Sequence, residues 1–153
     1  KREKKIYFLG TLSNDGDYSN VDLINRFSKE CKKHDIEFII NNFYKKQLSE
    51  EDYVRLSKES YLGFDVRCKA HQDWGHVSCR LFKNISYGHL GMTNAVECYN
   101  ELDGHCIYNP TPEGMFNDAF TKKDDFKFIK EGLMYLRENH TYVNRVNSLM
   151  KLI

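Results

Sequence analysis

The sequence predicts an α/β fold, a Rossmann-like parallel sheet with helices on both faces. The first reason is that short apolar runs alternate with segments of helical period along the whole chain. The second is that the apolar runs Ile6–Leu12 and Ile36–Asn41 enclose one helical segment, which makes a β-α-β unit with parallel strands. The third is size: 153 residues, of which 41% are hydrophobic, are enough for one core, so we predict a single domain over residues 1–153.

Continuous apolar runs identify the strands of the first half, and capping residues identify its helices. The run IYFLGTL is apolar on both faces, as in a buried parallel strand, and it contains a glycine turn. Ser19 or Asn20 can cap the first helix, and Ser49 with Asp52 resembles a capping box for the second. The predicted elements are a strand at 6–12, a loop at 13–19, a helix from Asn20 to about His34, a strand at 36–41, a loop at 42–48, a helix from Ser49 to about Ser60 and a strand at 61–67.

Helix breakers and caps divide the second half. Gly88 ends a short helix, Asn94 caps the next one, and Pro110 with Pro112 flanks the start of another. The predicted elements are an irregular His-rich loop at 69–78, a helix ending at Gly88, a strand at 90–93, a helix at 95–102, a strand at 105–108, a helix from 112 to about 120, and a last helical region that opens at Asp124 or Asp125 and breaks near His140.

Composition excludes several classes of protein. The net charge is +1, from 23 basic and 22 acidic side chains, which argues against a nucleic-acid partner. No apolar run approaches the ~20 residues that span a bilayer, and the start KREKKIYFLG lacks the pattern of a signal peptide. The 5 cysteines are odd in number and irregularly spaced, so we predict unpaired thiols and a cytoplasmic location.

The pair Arg80 and Lys83 is the strongest candidate for a binding site. The two cations lie three residues apart at the start of a predicted helix and therefore share one face. Unpaired N–H groups at a helix N-terminus, beside two cations, suit a phosphate or diphosphate. The alternative is a surface helix with two solvated cations, which the spacing alone favours. In either case we expect both side chains to lie outside the core.

Two further residues lie at the predicted ligand-binding edge of the sheet, where the carboxyl ends of the strands meet. Asp65 lies near the end of the third strand, where it either hydrogen-bonds a ribose or acts as a general base, or simply pairs with Arg67. Trp74 either covers the cleft and stacks on a base or sugar, or fills the core.

Motifs for other chemistries are weak or missing. The segment containing Cys68, His71, His76 and Cys79 has four possible zinc ligands, but its middle gap is short for a zinc finger, so we predict no metal. The chain has no glycine-rich dinucleotide fingerprint, no P-loop and no nucleophile elbow, so dehydrogenase and α/β-hydrolase activities have no support.

Three segments together resemble one family. The segment RLFK at 80–83, continued by ISYG at 85–88, resembles the R-x-F-E-A-x-A-x-G helix of GT-B glycosyltransferase C-terminal domains. The segment 100–108 and the predicted helix at 112–120 are similar to the part that follows in that family. The segment ENHTYVNRV at 138–146 is close to the E-H-T-Y-x-x-R ending of the spore-maturation-like subgroup. The resemblance covers most of the chain in order.

The resemblance implies one half of a GT-B fold, the C-terminal half of a longer glycosyltransferase. In that family this half binds a nucleotide-diphospho-sugar without a metal or another cofactor, and a glycan or other acceptor binds an N-terminal domain. Arg80 and Lys83 would contact the diphosphate, and Lys83 stands where many relatives carry Glu. The other residues that the resemblance assigns to the donor pocket are Gly10, Thr11, Ser86, Tyr87, Gly88, Thr93 and Asn94.

The resemblance identifies no catalytic residue in this chain. Two functions from different classes therefore stay open. One is the donor domain of a glycosyltransferase, and the other is a non-catalytic Rossmann-like module that binds a nucleotide or a protein. A zinc-containing nucleic-acid module is a third possibility, which the nearly neutral charge disfavours.

Overall fold

The strands of the described residues are parallel and form two small sheets. The structure is a computed structural model and describes residues 2–42 and 48–151, so most of the predicted loop at 42–48 lies outside the described residues. One sheet has three strands in the order β2-β1-β3, and in the other sheet β4 pairs with β5. The strands are β1 (Lys5–Gly10), β2 (Glu37–Asn42), β3 (Leu62–Gly63), β4 (Met92–Thr93) and β5 (Ile107–Tyr108).

Helices connect these strands and extend beyond them at the C-terminal end. The helices are α1 (Val21–Lys33), α2 (Glu50–Glu59), α3 (Lys69–Asp73), α4 (Cys79–Ser86), α5 (Val96–Glu101), α6 (Pro112–Lys122), α7 (Phe126–Asn139) and α8 (Tyr142–Met150). None of the helices within these described ranges is long and apolar enough to cross a membrane. The fold is therefore mixed α/β with a small parallel sheet.

Strand β1 is the centre of the core because its two faces bury different partners. Phe8 packs on one face against Phe27 of α1 and Phe64, whose rings stack 3.8 Å apart. Tyr7 points to the other face, where its hydroxyl donates to Asn84 Oδ1 of α4 at 2.9 Å and its ring lies edge-on to Tyr53 of α2. Helices thus cover both faces of β1.

The predicted third strand at 61–67 is too long. Only Leu62 and Gly63 pair as a strand; Phe64 N still donates to Tyr7 O at 2.8 Å, but at Arg67 the backbone is bonded to a side chain. The amide of Asn94 accepts from Arg67 N at 2.7 Å and donates to Arg67 O at 2.9 Å. This side chain takes the place of a backbone ladder between the two sheets, and Asn94 is therefore not the cap that the sequence predicts for α5.

Asn20 is the second predicted cap whose side chain has another use. It occupies the N-cap position of α1 without a capping hydrogen bond. Its amide instead donates to Thr11 O at 2.9 Å and accepts from Ser13 N at 3.0 Å. These bonds hold the loop after β1, which explains why the strand ends at Gly10 rather than at Leu12.

Other local predictions are confirmed or corrected. Ser49 caps α2 by accepting from Asp52 N at 3.0 Å, and the last helical region does break at His140, where Thr141 caps α8. The predicted irregular loop at 69–78 contains helix α3. The fourth and fifth strands are shorter than predicted, with two residues each.

His89 is a buried histidine beside Tyr7. Its side chain is 1% exposed, and its Nδ1 lies 3.3 Å from Tyr61 O. Burial, assisted by the positive charge of Arg2, lowers the pKa of His89 to about 4. Between this value and the unfolded pKa of 6.5, His89 is therefore neutral in the folded protein but protonated in the unfolded chain.

We expect the pH dependence of stability to report this histidine. Its contribution is complete above the unfolded pKa of 6.5 and is lost as pH falls toward the folded value of about 4. Between pH 7 and pH 5 the free energy of unfolding should fall by about 2 kcal/mol because of His89. Urea unfolding at both pH values measures this change. His89→Gln should remove this pH-dependent loss of stability, whereas His34→Gln, a substitution of an exposed histidine, should leave it unchanged. If the free energy of unfolding changed equally with pH in both variants, the assignment to His89 would be contradicted.

Candidate functional site

The candidate site lies beside β1, where the connections to β2 and to β3 run to opposite sides of this central strand. From β1 the chain passes through α1 to β2 on one side, and from β2 through α2 to β3 on the other side of β1. Parallel sheets form a crevice at such a point, beyond the carboxyl ends of the strands. A cavity of about 560 Å³ lies there, and Gly10, Thr11, Arg67, Arg80 and Lys83 are among its lining residues. Its volume is typical of a small-molecule site.

A buried network of charges forms the floor of this cavity. Asp65 is 0% exposed and accepts hydrogen bonds from Arg67 Nη2 at 2.5 Å, Ser78 Oγ at 2.8 Å and Arg80 Nη1 at 3.3 Å. Ser78 also accepts from Arg67 and occupies the N-cap position of α4. Three side chains from two segments, the one after β3 and the start of α4, therefore converge on one carboxylate.

The network carries an excess of positive charge. Burial opposes ionisation of Asp65, but Arg67, Arg80 and the hydrogen bond from Ser78 outweigh it and hold the pKa of this carboxyl below its usual value. One negative group then faces two positive groups, whose side chains are only 9% and 18% exposed for Arg67 and Arg80. Solvent screens such charges weakly, so an anion in the cavity would be stabilised.

Both guanidinium groups keep a free donor. Arg80 donates from Nε to Leu9 O at 2.7 Å, and its guanidinium carbon lies 4.5 Å from the ring centroid of Phe8. Within the described residues, Nη2 of Arg80 and Nη1 of Arg67 have no hydrogen-bond partner. Because both side chains line the cavity, these two donors are available to a ligand.

Arg80 is not among the buried residues of the core, but its side chain is only 18% exposed. Arg80 is held by Phe8, Leu9 and Asp65, which sequence spacing could not reveal because these residues lie 15 to 72 positions away. Lys83 is exposed as expected and lies at the cavity, with Nζ 4.1 Å from the ring centroid of Tyr53.

The structure brings some of the sequence-predicted site residues together and separates others. Gly10, Thr11, Arg80 and Lys83 line the cavity. Asp65, Thr93 and Asn94 lie in the buried layer around Arg67, where Thr93 Oγ1 is 3.4 Å from Asp65 Oδ2. Ser86, Tyr87 and Gly88 lie at the opposite end of α4 and do not line this cavity. The sequence predicts Arg67 only as a partner of Asp65; the alternation Asp-Val-Arg at the end of the predicted third strand is the signal that places both side chains on one face.

A second cavity of about 510 Å³ adjoins the first and shares Thr11, Arg67 and Arg80 with it. His71 also lines it, and burial, assisted by Arg67 and His76, lowers the pKa of His71. Trp74 is 68% exposed and packs edge-on against Tyr18 with ring centroids 5.7 Å apart, so it does not fill the core. The pair of guanidinium groups therefore lies between two cavities.

The four residues considered as zinc ligands have different environments. Cys68 is buried and Cys79 is exposed, while the rings of His71 and His76 lie 4.9 Å apart. In the part of the chain that the structure describes, no three His, Cys, Asp or Glu side chains are grouped so that they could hold a metal ion.

Asp65 should be essential for stability. Asp65→Asn removes the buried negative charge and leaves two guanidinium groups facing each other, which should lower the free energy of unfolding by about 3–5 kcal/mol. Asp73→Asn is the matched control, because Asp73 forms an exposed pair with Lys69 and should cost less than about 1 kcal/mol. Urea unfolding of both variants provides the measurement, and similar losses would contradict the network.

Gly10 should be needed to admit Arg80. A Cβ at Gly10 would overlap Arg80 Nη2 and lie 2.7 Å from Arg80 Cζ, so Gly10→Ala should displace the guanidinium group and cost about 1–2 kcal/mol. In an Arg80→Ala background the same change should cost nothing or stabilise slightly, because alanine restricts the unfolded chain. A double-mutant cycle measured by chemical denaturation tests this coupling, and additive effects would refute it.

Known proteins do not assist the functional assignment. Compared with protein-family models, with curated proteins and with solved structures, the chain has no match. The assignment of function therefore depends on the geometry of the cavity and on the short motifs of the sequence.

Proposed function

We propose that this chain binds a nucleotide-diphospho-sugar and holds its diphosphate at the Arg67–Arg80 pair, as the donor domain of a glycosyltransferase. The observation that carries the proposal is the pair itself. Two guanidinium groups, one net positive charge and two donors that have no partner among the described residues lie at a cavity beyond the carboxyl ends of β1 and β3. Guanidinium groups with fixed geometry are suited to phosphate oxygens, which accept several hydrogen bonds at once.

The surroundings of the pair suit a ligand of this size and charge. Gly10 has no side chain, so the Arg80 guanidinium group lies directly against its backbone, and both residues line the cavity. Lys83 adds an exposed cation at the same cavity, and Tyr53 offers an aromatic ring beneath it. The second cavity extends from the other side of the guanidinium groups, which leaves room for groups attached at both ends of a diphosphate.

Fixed cations have a direct role in glycosyl transfer. When the bond between the sugar and the diphosphate breaks, the leaving diphosphate gains negative charge. Guanidinium groups that are already oriented stabilise this charge without reorganisation, so the reaction needs no metal at this position. The acceptor, a glycan or another hydroxyl compound, would bind a separate N-terminal domain, in agreement with the resemblance of segments 80–88 and 138–146.

We also propose that the sheet is Rossmann-like and that the protein is cytoplasmic. The parallel ladders, with helices on both faces of β1, support a Rossmann-like sheet of the kind that forms one half of a GT-B fold. The cysteines are free thiols, which supports a reducing compartment such as the cytoplasm.

One observation favours the alternative, a module that binds a nucleotide without chemistry. Asp65, the carboxylate considered as a general base, is fully buried and occupied by Arg67, Ser78 and Arg80. It has no access to a substrate proton. If this chain takes part in transfer, a group other than Asp65 therefore activates the acceptor.

Nucleotide binding tests the proposal. Calorimetric titration with UDP, GDP, CDP and dTDP should identify one that binds. Arg80→Ala should weaken its binding by about 1.5–3 kcal/mol, the scale of a hydrogen bond to a charged group, and Lys83→Gln should cost less because Lys83 acts as a point charge. Lys127→Gln, an exposed cation on α7, is the control and should leave the affinity unchanged.

Because Arg80 contributes to the fold, each variant is first shown to be folded by circular dichroism. Equal affinity of a nucleotide for the parent chain and for folded Arg80→Ala would exclude this cavity as the site. If no nucleotide binds the parent chain, the same titrations with a longer chain that includes the acceptor domain separate a missing domain from a wrong function.

A further inference from the structure

The second cavity, on the other side of the guanidinium groups, is lined by polar side chains that are free to bind a ligand. Asp15, Tyr18 and His71 border it together with Arg67 and Arg80. Among the described residues, the Asp15 carboxylate, the Tyr18 hydroxyl and the His71 ring nitrogens have no hydrogen-bond partner. A carboxylate accepts hydrogen bonds and a hydroxyl both donates and accepts, so a ligand rich in hydroxyl groups can pair with all three side chains.

Tyr18 also provides an aromatic surface beside these polar groups. It is 43% exposed, and its ring packs edge-on with Trp74 and His71 at centroid distances of 5.7 and 6.1 Å. The loop that carries it is held by hydrogen bonds, because Tyr18 N donates to Asp15 O at 2.8 Å and Asp15 N donates to Ser13 Oγ at 3.2 Å. A fixed, exposed ring offers a large contact area to the C–H groups of a ligand at little cost in conformational entropy.

Charge determines which group can be attached to a phosphate in this cavity. The guanidinium groups of Arg67 and Arg80 attract the phosphate, whereas the unpaired carboxylate of Asp15 repels any further anionic group. Burial lowers the pKa of His71, so its ring is neutral at pH 7 and presents one donor and one acceptor. The attached group should therefore be neutral and carry several hydroxyls. A hexose has both properties, and its ring C–H groups can contact Tyr18.

We infer that the second cavity is a sugar subsite, in which Asp15 and His71 bind hydroxyl groups of a hexose and Tyr18 packs against its ring. A phosphate on the hexose binds the Arg67–Arg80 pair. The subsite does not depend on a nucleotide, so a hexose 1-phosphate should occupy it by itself.

The subsite also assigns the two ends of the proposed nucleotide-diphospho-sugar, and this assignment rests on the proposed function. The sugar lies in the second cavity and the base lies in the first. A base is flat and carries fewer hydrogen-bonding groups than a hexose, so it suits the less polar cavity. The apolar and aromatic side chains that line the first cavity are Leu9, Leu48 and Tyr53.

Sugar phosphates test the subsite without a nucleotide. The 1-phosphates of glucose, galactose, mannose and N-acetylglucosamine are titrated into the full chain by calorimetry, with inorganic phosphate for comparison. We expect at least one sugar phosphate to bind about tenfold more tightly than inorganic phosphate, the scale of one or two net hydrogen bonds. Its binding should also change the fluorescence of Trp74, the single tryptophan of the chain, because Trp74 packs against Tyr18.

Two pairs of variants identify the side chains that bind the sugar. Asp15→Asn should reduce the tenfold preference to about twofold, because a neutral amide accepts from a hydroxyl more weakly than a carboxylate does. Asp17→Asn is the matched control, since Asp17 is an exposed carboxylate of the same loop and is absent from the described lining of the cavity. Tyr18→Leu should also reduce the preference, whereas Tyr18→Phe keeps the ring and should retain most of it. All three side chains are exposed, so the variants should fold, and circular dichroism verifies this.

The outcomes separate this inference from the proposed function. Sugar phosphates that fail to bind, or that bind no more tightly than inorganic phosphate, overturn the sugar subsite, and so do equal affinities in Asp15→Asn and Asp17→Asn. The proposed function survives each of these results if a nucleotide binds and Arg80→Ala weakens its binding. If a sugar phosphate binds as expected but no nucleotide does, even with the acceptor domain present, the subsite stands and the proposed function fails.

The assignment of the two ends has its own test. For the nucleotide that binds, Asp15→Asn should weaken binding of the nucleotide-diphospho-sugar about fivefold and leave binding of the nucleoside diphosphate unchanged. Equal effects of this substitution on both ligands would overturn the placement of the sugar in the second cavity.

Discussion

The carboxylate of Asp65 is the constraint on which the candidate site depends. It lies in the protein interior without exposure to solvent, and it can stay ionised only because Arg67, Arg80 and Ser78 surround it. These partners come from the segment after β3 and from the start of α4. Their positions relative to each other are therefore fixed by one buried charge, and the walls of the cavity follow from that arrangement.

Stability alone does not explain such a network. Replacing a buried ion pair by apolar residues is often neutral or stabilising, because removing charges from water costs as much as their attraction returns. A network with two cations and one anion is still less favourable, since one charge stays uncompensated within the protein. What it provides is a pair of guanidinium groups whose orientation is set before any ligand arrives, as the proposed binding of a diphosphate requires.

Local signals in the sequence were sufficient for the strands at the start of the chain and for several helix ends. The β-α-β unit, the cap at Ser49 and the break at His140 depend on residues that are close in sequence, and all three are present. The predictions failed where a polar side chain bonds to a distant segment. Asn20 and Asn94 have the residue type of a cap, yet their amides hold backbone groups 7 to 27 residues away. Residues close in sequence are enough to predict Arg80 as a site candidate. Its partial burial depends on Phe8 and Leu9, which no local sequence pattern connects to it.

The bridge made by Asn94 has a consequence for how the protein opens. Because Asn94 joins the segment after β3 to β4 through a side chain, the described chain contains two sheets whose backbone hydrogen bonds need not break together. The two sheets are candidates for separate cooperative units in native-state hydrogen exchange, and the boundary between these units would lie at Arg67. A ligand held by Arg67 would connect the two units, and the amide of Ile107, which donates to Gly91 O at 2.8 Å, would then exchange more slowly although it lies outside the cavity that the ligand occupies.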